Sequence, residues 1–244
     1  MFHFFKKHSK PLFKDLCDIH NHLLPAIDDG SKDVKMSLKM LEYYKNLGFS
    51  SIITTPHIFQ ELYPNTIKSI KDSFELLAKK NKLKNHPYVH SYAAEYMVDE
   101  IFMKNLEIDA PTLLLNKKYI LVEINFFGGI ELLEKACFIL LQKDVFPILA
   151  HPERYHRIEN LQDYQNIKEK GFYFQLNALS LLGHYGPSVK QKAKILLNKG
   201  LYDFVATDAH NPMHLKQLGK LKLSKKEGLK WEFVREFQKE KFPY

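Results

Sequence analysis

A chain of 244 residues with 45% hydrophobic and 26% charged residues can bury a substantial core, which excludes an intrinsically disordered protein. Its formal charge of +8 permits a nucleic acid, an anionic membrane or a phosphorylated partner, but the lysines are dispersed rather than gathered in one stripe, so no nucleic-acid partner is expected. Two cysteines, Cys17 and Cys137, suit neither a disulfide scaffold nor a thiolate metal site and are expected to be small core residues.

Residues 1–16 read as a basic arm in which Lys6, Lys7 and Lys10 follow the apolar Met1-Phe2-His3-Phe4-Phe5. That run is too short for a signal h-region or a membrane span, so the protein is expected in the cytoplasm. The arm is expected to be a solvated tail or packing strap, with weak or no direct contact with a bilayer. Residues 17–244 are expected to form one domain.

The domain opens on Asp18-Ile19-His20-Asn21-His22, followed by Asp28-Asp29-Gly30. In a strand, positions i and i+2 share a face, so His20 and His22 can point into one cavity. Ser31 or Asp33 then caps a helix carrying Val34, Leu38 and Leu41 on one face and ending at Gly48. A β-branched strand over 49–55 delivers Pro56-His57.

The same strand-then-helix pattern continues to residue 211. A helix is expected near 65–82, and a strand near 88–94 delivers Glu95; the next strand, over 119–122, delivers Glu123. Gly128-Gly129 and a helix near 130–142 lead to a strand over 145–150 that delivers His151-Pro152-Glu153-Arg154. A helix near 160–169 precedes a strand over 172–176 with Asn177 at its exit. Pro187 opens a helix closed by Gly200, and a strand over 201–206 ends at Thr207-Asp208-Ala209-His210. A final helix, with Leu229, Phe233 and Phe237 at helical spacing, is expected to pack on the outside.

Seven apolar strands alternating with amphipathic helices, with no linker, point to an α/β fold: a distorted seven-stranded (β/α)7 TIM-like barrel. Loops following parallel strands converge on one rim, and His20, His22, Asp29, His57, Glu95, Glu123, His151, Asp208 and His210 would all meet there. A lone histidine at a strand end is ordinarily structural, but so many on one rim favour a metal site. These ligands exceed what one tetrahedral ion needs, so a carboxylate is expected to bridge two or three ions. Imidazole with carboxylate and no thiolate suits Mn, Fe or Zn alike. Such a cluster fits phosphoester hydrolysis, and Arg154 could offer a guanidinium fork to a phosphoryl oxygen or make only a structural ion pair.

Other chemistries lack their motifs. A Cys-x5-Arg phosphatase is excluded, because the sixth residue after Cys17 is Leu23 and after Cys137 is Lys143. No Gly-x-Gly-x-x-Gly, Walker-type loop or Gly-x-Ser-x-Gly elbow occurs.

The chain resembles the polymerase and histidinol phosphatase (PHP) superfamily, in its branch of bacterial tyrosine-protein phosphatases of capsule and exopolysaccharide synthesis. The carrying motifs are the two opening stretches, Thr54-Thr55-Pro56-His57, Tyr63-Pro64-Asn65-Thr66, Ala94-Glu95, Val122-Glu123, Ala150-His151-Pro152-Glu153-Arg154-Tyr155, Ser180-Leu181-Leu182-Gly183 and Thr207-Asp208-Ala209-His210-Asn211.

The resemblance implies a PHP-type barrel with three divalent ions, commonly manganese. His20, His22, Glu95 and Asp208 would surround one ion, Glu95, Glu123 and His151 a second, and Asp29, His57 and His210 the third. Arg154 matches the phosphate-contacting arginine, and the implied partner is a phosphotyrosine protein, a membrane-bound bacterial tyrosine kinase. Self-association into a homo-oligomer is compatible with the resemblance. Two departures stand out: Pro25-Ala26 replaces the usual Pro-Gly, and His214 and Lys216 lie near where some relatives place a second arginine. The competing expectations are a small-molecule phosphomonoesterase, such as a histidinol phosphatase, and a noncatalytic PHP binding domain.

Overall fold

The computed structural model describes residues 11–81, 88–125 and 130–244. Residues 1–10 of the expected arm and Gly128-Gly129 lie outside them. The end of the arm belongs to the core: Phe13 and Leu16 are buried, Phe13 stacks on Phe49, and Trp231 Nε1 donates to the carbonyl of Leu12 at 3.0 Å.

Nine strands are present among the described residues: β1 (Cys17–Asp18), β2 (Ser51–Thr54), β3 (His57–Ile58), β4 (Tyr88–Tyr92), β5 (Glu95–Met97), β6 (Tyr119–Glu123), β7 (Phe146–Ala150), β8 (Tyr173–Asn177) and β9 (Phe204–Ala206). The helices among them are α1 (Val34–Leu47), α2 (Ile67–Asn81), α3 (Glu100–Glu107), α4 (Glu131–Gln142), α5 (Leu161–Glu169), α6 (Ala178–Leu182), α7 (Pro187–Lys199), α8 (Pro212–Leu218) and α9 (Lys225–Lys241). Asp33 proves to be the cap of α1, its side chain accepting from the Met36 N–H at 2.7 Å, and Gly48 ends that helix at φ 89. The short helices α3, α6 and α8 have too few turns for the periodicity that revealed the others.

All strand pairs are parallel, in the orders β1-β2-β4 and β3-β5-β6-β7-β8-β9. Where a distorted seven-stranded barrel is expected, the ladders among the described residues form two parallel sheets, and no closed barrel is found among them. Two expected strands, over 49–55 and 88–94, are each followed closely by a further short strand that the sequence did not reveal. Thr55-Pro56 separates β2 from β3, where proline has no N–H to donate, and Ala93-Ala94 separates β4 from β5. Single bonds still cross these breaks, from Ala93 N to Thr54 O at 2.7 Å and from Glu95 N to Pro56 O at 3.0 Å.

The other opening lies between β1 and β9, and side chains bridge it. Gln238 of α9 accepts from the Val205 N–H and donates to the carbonyl of Cys17, each at 2.8 Å. Asp18 accepts from Thr207 N at 3.0 Å and from Thr207 Oγ1 at 2.6 Å. Beyond them the backbones meet, Asp208 N donating to His20 O at 2.8 Å and His22 N to Ala209 O at 3.1 Å.

This seam also corrects the expected face of α9. Leu229 and Phe233 are 69% and 70% exposed, while Trp231, Val234, Arg235 and Gln238 are buried. The polar members of that buried stripe serve backbone groups, Arg235 donating to the carbonyl of Lys14 at 2.8 Å as Gln238 does to that of Cys17. The helix is therefore held by hydrogen-bonding demand as much as by apolar burial.

Candidate metal centre

Strand alternation positions the site. On one face of β6 run Tyr119, Leu121 and Glu123; on β7 Phe146, Ile148 and Ala150; on β8 Tyr173, Gln175 and Asn177; on β9 Phe204 and Ala206, followed by Asp208. At the strand starts, rings of Tyr119, Phe146, Tyr173, Phe204, Phe237 and Phe242 pack together as a floor. Leu121, Ile148, Ala150 and Ala206 form a buried apolar middle with Cys17 and Ile53. The polar side chains stand at the strand exits.

There the structure brings together all nine residues expected from the sequence. Glu95 is the hub: Oε2 lies 3.1 Å from His20 Nε2, 3.5 Å from His22 Nε2 and 3.1 Å from His57 Nδ1, and Oε1 lies 3.1 Å from His151 Nε2. Glu123 Oε1 is 3.0 Å from His57 Nδ1. Asp208 Oδ1 is 3.4 Å from His20 Nε2, 3.3 Å from His22 Nε2 and 3.6 Å from His210 Nδ1. Asp29, half-exposed at the rim, is 3.5 Å from His57 Nε2 and 3.4 Å from His210 Nε2.

Four groups have ligand atoms mutually within 4.8 Å: His22, Asp29, His57 and His210; His20, His22 and Asp208; His20, Glu95 and His151; and His57, Glu95 and Glu123. These groups could each hold a cation. Their division differs from the one implied by resemblance, since His20 also joins His151 and His57 also joins Glu123.

The donor set fits such ions. His20 Nε2, His22 Nε2, His57 Nδ1 and Glu95 Oε2 are buried and take part in no hydrogen bond of acceptable geometry, despite their short separations. Their partners fix the tautomers: His20 Nδ1 donates to Gln175 Oε1 at 2.8 Å, His22 Nδ1 to Asp28 Oδ2 at 2.8 Å, and His210 Nδ1 to the carbonyl of Asp208 at 3.0 Å. In the neutral ring each bond would leave an Nε2 lone pair facing the cluster, as a metal ligand needs.

Protons feel the same field. Burial and neighbouring His22 lower the His57 pKa, but Glu95 and Glu123 outweigh them and hold it up at about 10. Burial raises Asp29, whereas His210, His22 and His57 prevail and draw it down to about 2. Burial likewise opposes ionisation of Asp208, yet His20, His22, His210 and Arg154 hold it well below the usual carboxylate range.

Local backbone serves the cluster. His151 and Asp208 adopt left-handed conformations, φ 35 and 47, at the exits of β7 and β9. Gly30 lies so close to His22 that an added Cβ would sit 2.2 Å from His22 O and 2.4 Å from His22 Cβ. Arg154, at the end of a 3-10 turn, places Nη1 2.9 Å from Asp208 Oδ2.

Residues 16–222 match the family described as Capsular polysaccharide synthesis, CpsB/CapC. The chain belongs to the CpsB/CapC family. Among its relatives, CapC from Staphylococcus aureus is 31% identical over 218 residues, covering 83% of this chain and 82% of CapC. Tyrosine-protein phosphatase YwqE from Bacillus subtilis is 32% identical over 197 residues, covering 80% of this chain and 78% of YwqE. A solved chain from the crystal structures of YwqE and of CpsB from Streptococcus pneumoniae, described as unique metal-dependent tyrosine phosphatases, superposes with a TM-score of 0.76 at 29% identity, covering 92% of this chain and 94% of that one.

In this CpsB/CapC chain, His214 does not extend toward the site as a cation. Burial, with His210 and His184 beside it, pushes it down to about 4, and its Nδ1 accepts from the His210 N–H at 3.3 Å. Lys216 is exposed on α8. Asp28 and Gln175, which orient His22 and His20, went unrecognised in the sequence as orienting groups. The available signals were an acidic residue beside Asp29 and a buried polar residue sharing a strand face with Asn177.

Proposed function

We propose that this chain is a metal-dependent protein-tyrosine phosphatase that hydrolyses phosphotyrosine monoesters. The observation that carries the reading is the convergence of His20, His22, His57, His151 and His210 with Asp29, Glu95, Glu123 and Asp208 around one buried hub, with the Nε2 atoms of His20 and His22 turned toward it.

In this reading the nine residues would hold three divalent ions, manganese foremost, with Glu95 shared among the ligand groups, and the fold is a distorted barrel of the PHP type. When bound, the ions lower the pKa of a water at the site and offset charge on phosphoryl oxygens. Gln175 and Asp28 keep His20 and His22 in the ligating tautomer. Arg154, anchored on Asp208, offers its guanidinium to the phosphoryl group and favours departure of the phenolate.

Family membership supports a capsule setting. The substrate this reading assigns is the phosphotyrosine tail of a membrane-bound kinase. No helix among the described residues is long and apolar enough to cross a membrane. Metal-loaded protein should hydrolyse phosphotyrosine peptides far faster than histidinol phosphate; the reverse preference would assign it to small phosphomonoesters. No hydrolysis of either by metal-replete protein would leave a noncatalytic binding domain.

A further inference from the structure

The turn between α6 and α7 is bent by two glycines, Gly183 at φ 85 and Gly186 at φ 95, with Gly186 N donating to Gly183 O at 3.1 Å. It carries Tyr185 into the site. The guanidinium carbon of Arg154 lies 4.2 Å from the centre of the Tyr185 ring, within the range of a cation–π contact. The ring is itself held at its tip. Asn177 Nδ2 donates to Tyr185 Oη at 2.9 Å and to Asp208 Oδ2 at 2.7 Å, the carboxylate oxygen that Arg154 also contacts.

We propose that Tyr185 is a positioning residue: its ring is the shelf that fixes the plane of the Arg154 guanidinium against the phosphoryl group. A guanidinium on a long flexible stem has many orientations, and an ion pair such as that to Asp208 does not by itself set the plane of the group. An aromatic face beneath the guanidinium defines that plane, so its donors are presented in one direction before the substrate arrives. The hydroxyl serves the shelf by tying it to Asn177 and is not itself the contact Arg154 uses. This inference rests on Arg154 meeting phosphate, as proposed above.

The test uses the full chain loaded with manganese and compares Tyr185→Leu, Tyr185→Phe, Arg154→Ala and the double variant Arg154→Ala/Tyr185→Leu. The readouts are kcat and KM on a phosphotyrosine peptide, the inhibition constant of inorganic phosphate, the rise in Tm that phosphate produces, and bound metal. Tyr185→Leu should lower kcat/KM by about tenfold and weaken both phosphate effects with metal content unchanged. Tyr185→Phe should stay within about twofold of the parent, since it keeps the ring face. In the Arg154→Ala background, removing the ring should cost nothing further.

Full additivity of the two losses would overturn the shelf role, as would a Tyr185→Phe loss equal to that of Tyr185→Leu. So would unaltered kinetics in Tyr185→Leu beside a collapsed Arg154→Ala. Unaltered kinetics in Arg154→Ala would instead overturn the phosphate role of the arginine, and the shelf with it. Should Tyr185→Leu not fold, Tyr185→Met carries the same comparison.

Discussion

Asp208 divides its two oxygens between neighbours: Oδ2 accepts from Arg154 Nη1 at 2.9 Å, while Oδ1 faces His20 and His22 at 3.4 and 3.3 Å. One carboxylate thus links the candidate metal ligands to the candidate phosphate contact. Replacing Arg154 by alanine should lower kcat/KM on phosphotyrosine peptide by roughly 100- to 1,000-fold, the range for loss of one transition-state donor, with bound metal retained. Arg154→Lys should recover little, because an ammonium lacks the planar fork. Steady-state kinetics beside metal analysis checks both, and full activity in Arg154→Ala would remove the proposed role.

Gly30 gives a test of the local architecture. Its backbone fills the space against His22 that a Cβ would need, at 2.2 Å from a carbonyl oxygen. Gly30→Ala must push His22 or the Asp28 loop aside, costing about 2 kcal/mol or more of stability and disturbing the hydrogen bond from His22 to Asp28. The expected result is a lower Tm with reduced metal content and turnover; intact metal binding in a well-folded variant would contradict it.

Ala26 occupies the left-handed region at φ 58, at the position where the resemblance leads one to expect glycine. The conformation costs an L-residue about 1–2 kcal/mol, and glycine gives back part of that through its greater freedom when unfolded. Ala26→Gly should therefore stabilise the protein by about 0.5–1 kcal/mol and leave metal content unchanged. Chemical denaturation would read this directly, and a loss of stability would show the strain to be relieved elsewhere.

Gln238 supports the β1–β9 seam through its bonds with Val205 N and Cys17 O. Gln238→Leu preserves bulk but deprives two buried backbone groups of that partner, at a cost of about 3 kcal/mol. A variant as stable as the parent would mean that the seam closes without the amide.

The candidate ligands were legible in the sequence because parallel strands send their exits to one rim and the alternation along each strand is short-range. Glu123 follows Leu121 and Tyr119 on one face whatever the helices do. Orienting groups were harder to read, since Gln175 meets His20 across 155 residues and only the folded sheet brings them together. The buried face of α9 was misread for a physical reason. Apolar periodicity favours Leu229 and Phe233, whereas unpaired backbone at β1 and β9 draws Gln238 inward, and no hydropathy pattern records that demand.

The most direct test of the central claim is to chelate and then remetallate one preparation, measuring bound metal and phosphotyrosine-peptide hydrolysis at each step. Chelation should abolish turnover and lower Tm, and manganese should restore both with about three ions per chain. Turnover that survives complete loss of divalent metal, or a chain that binds none, would contradict the account.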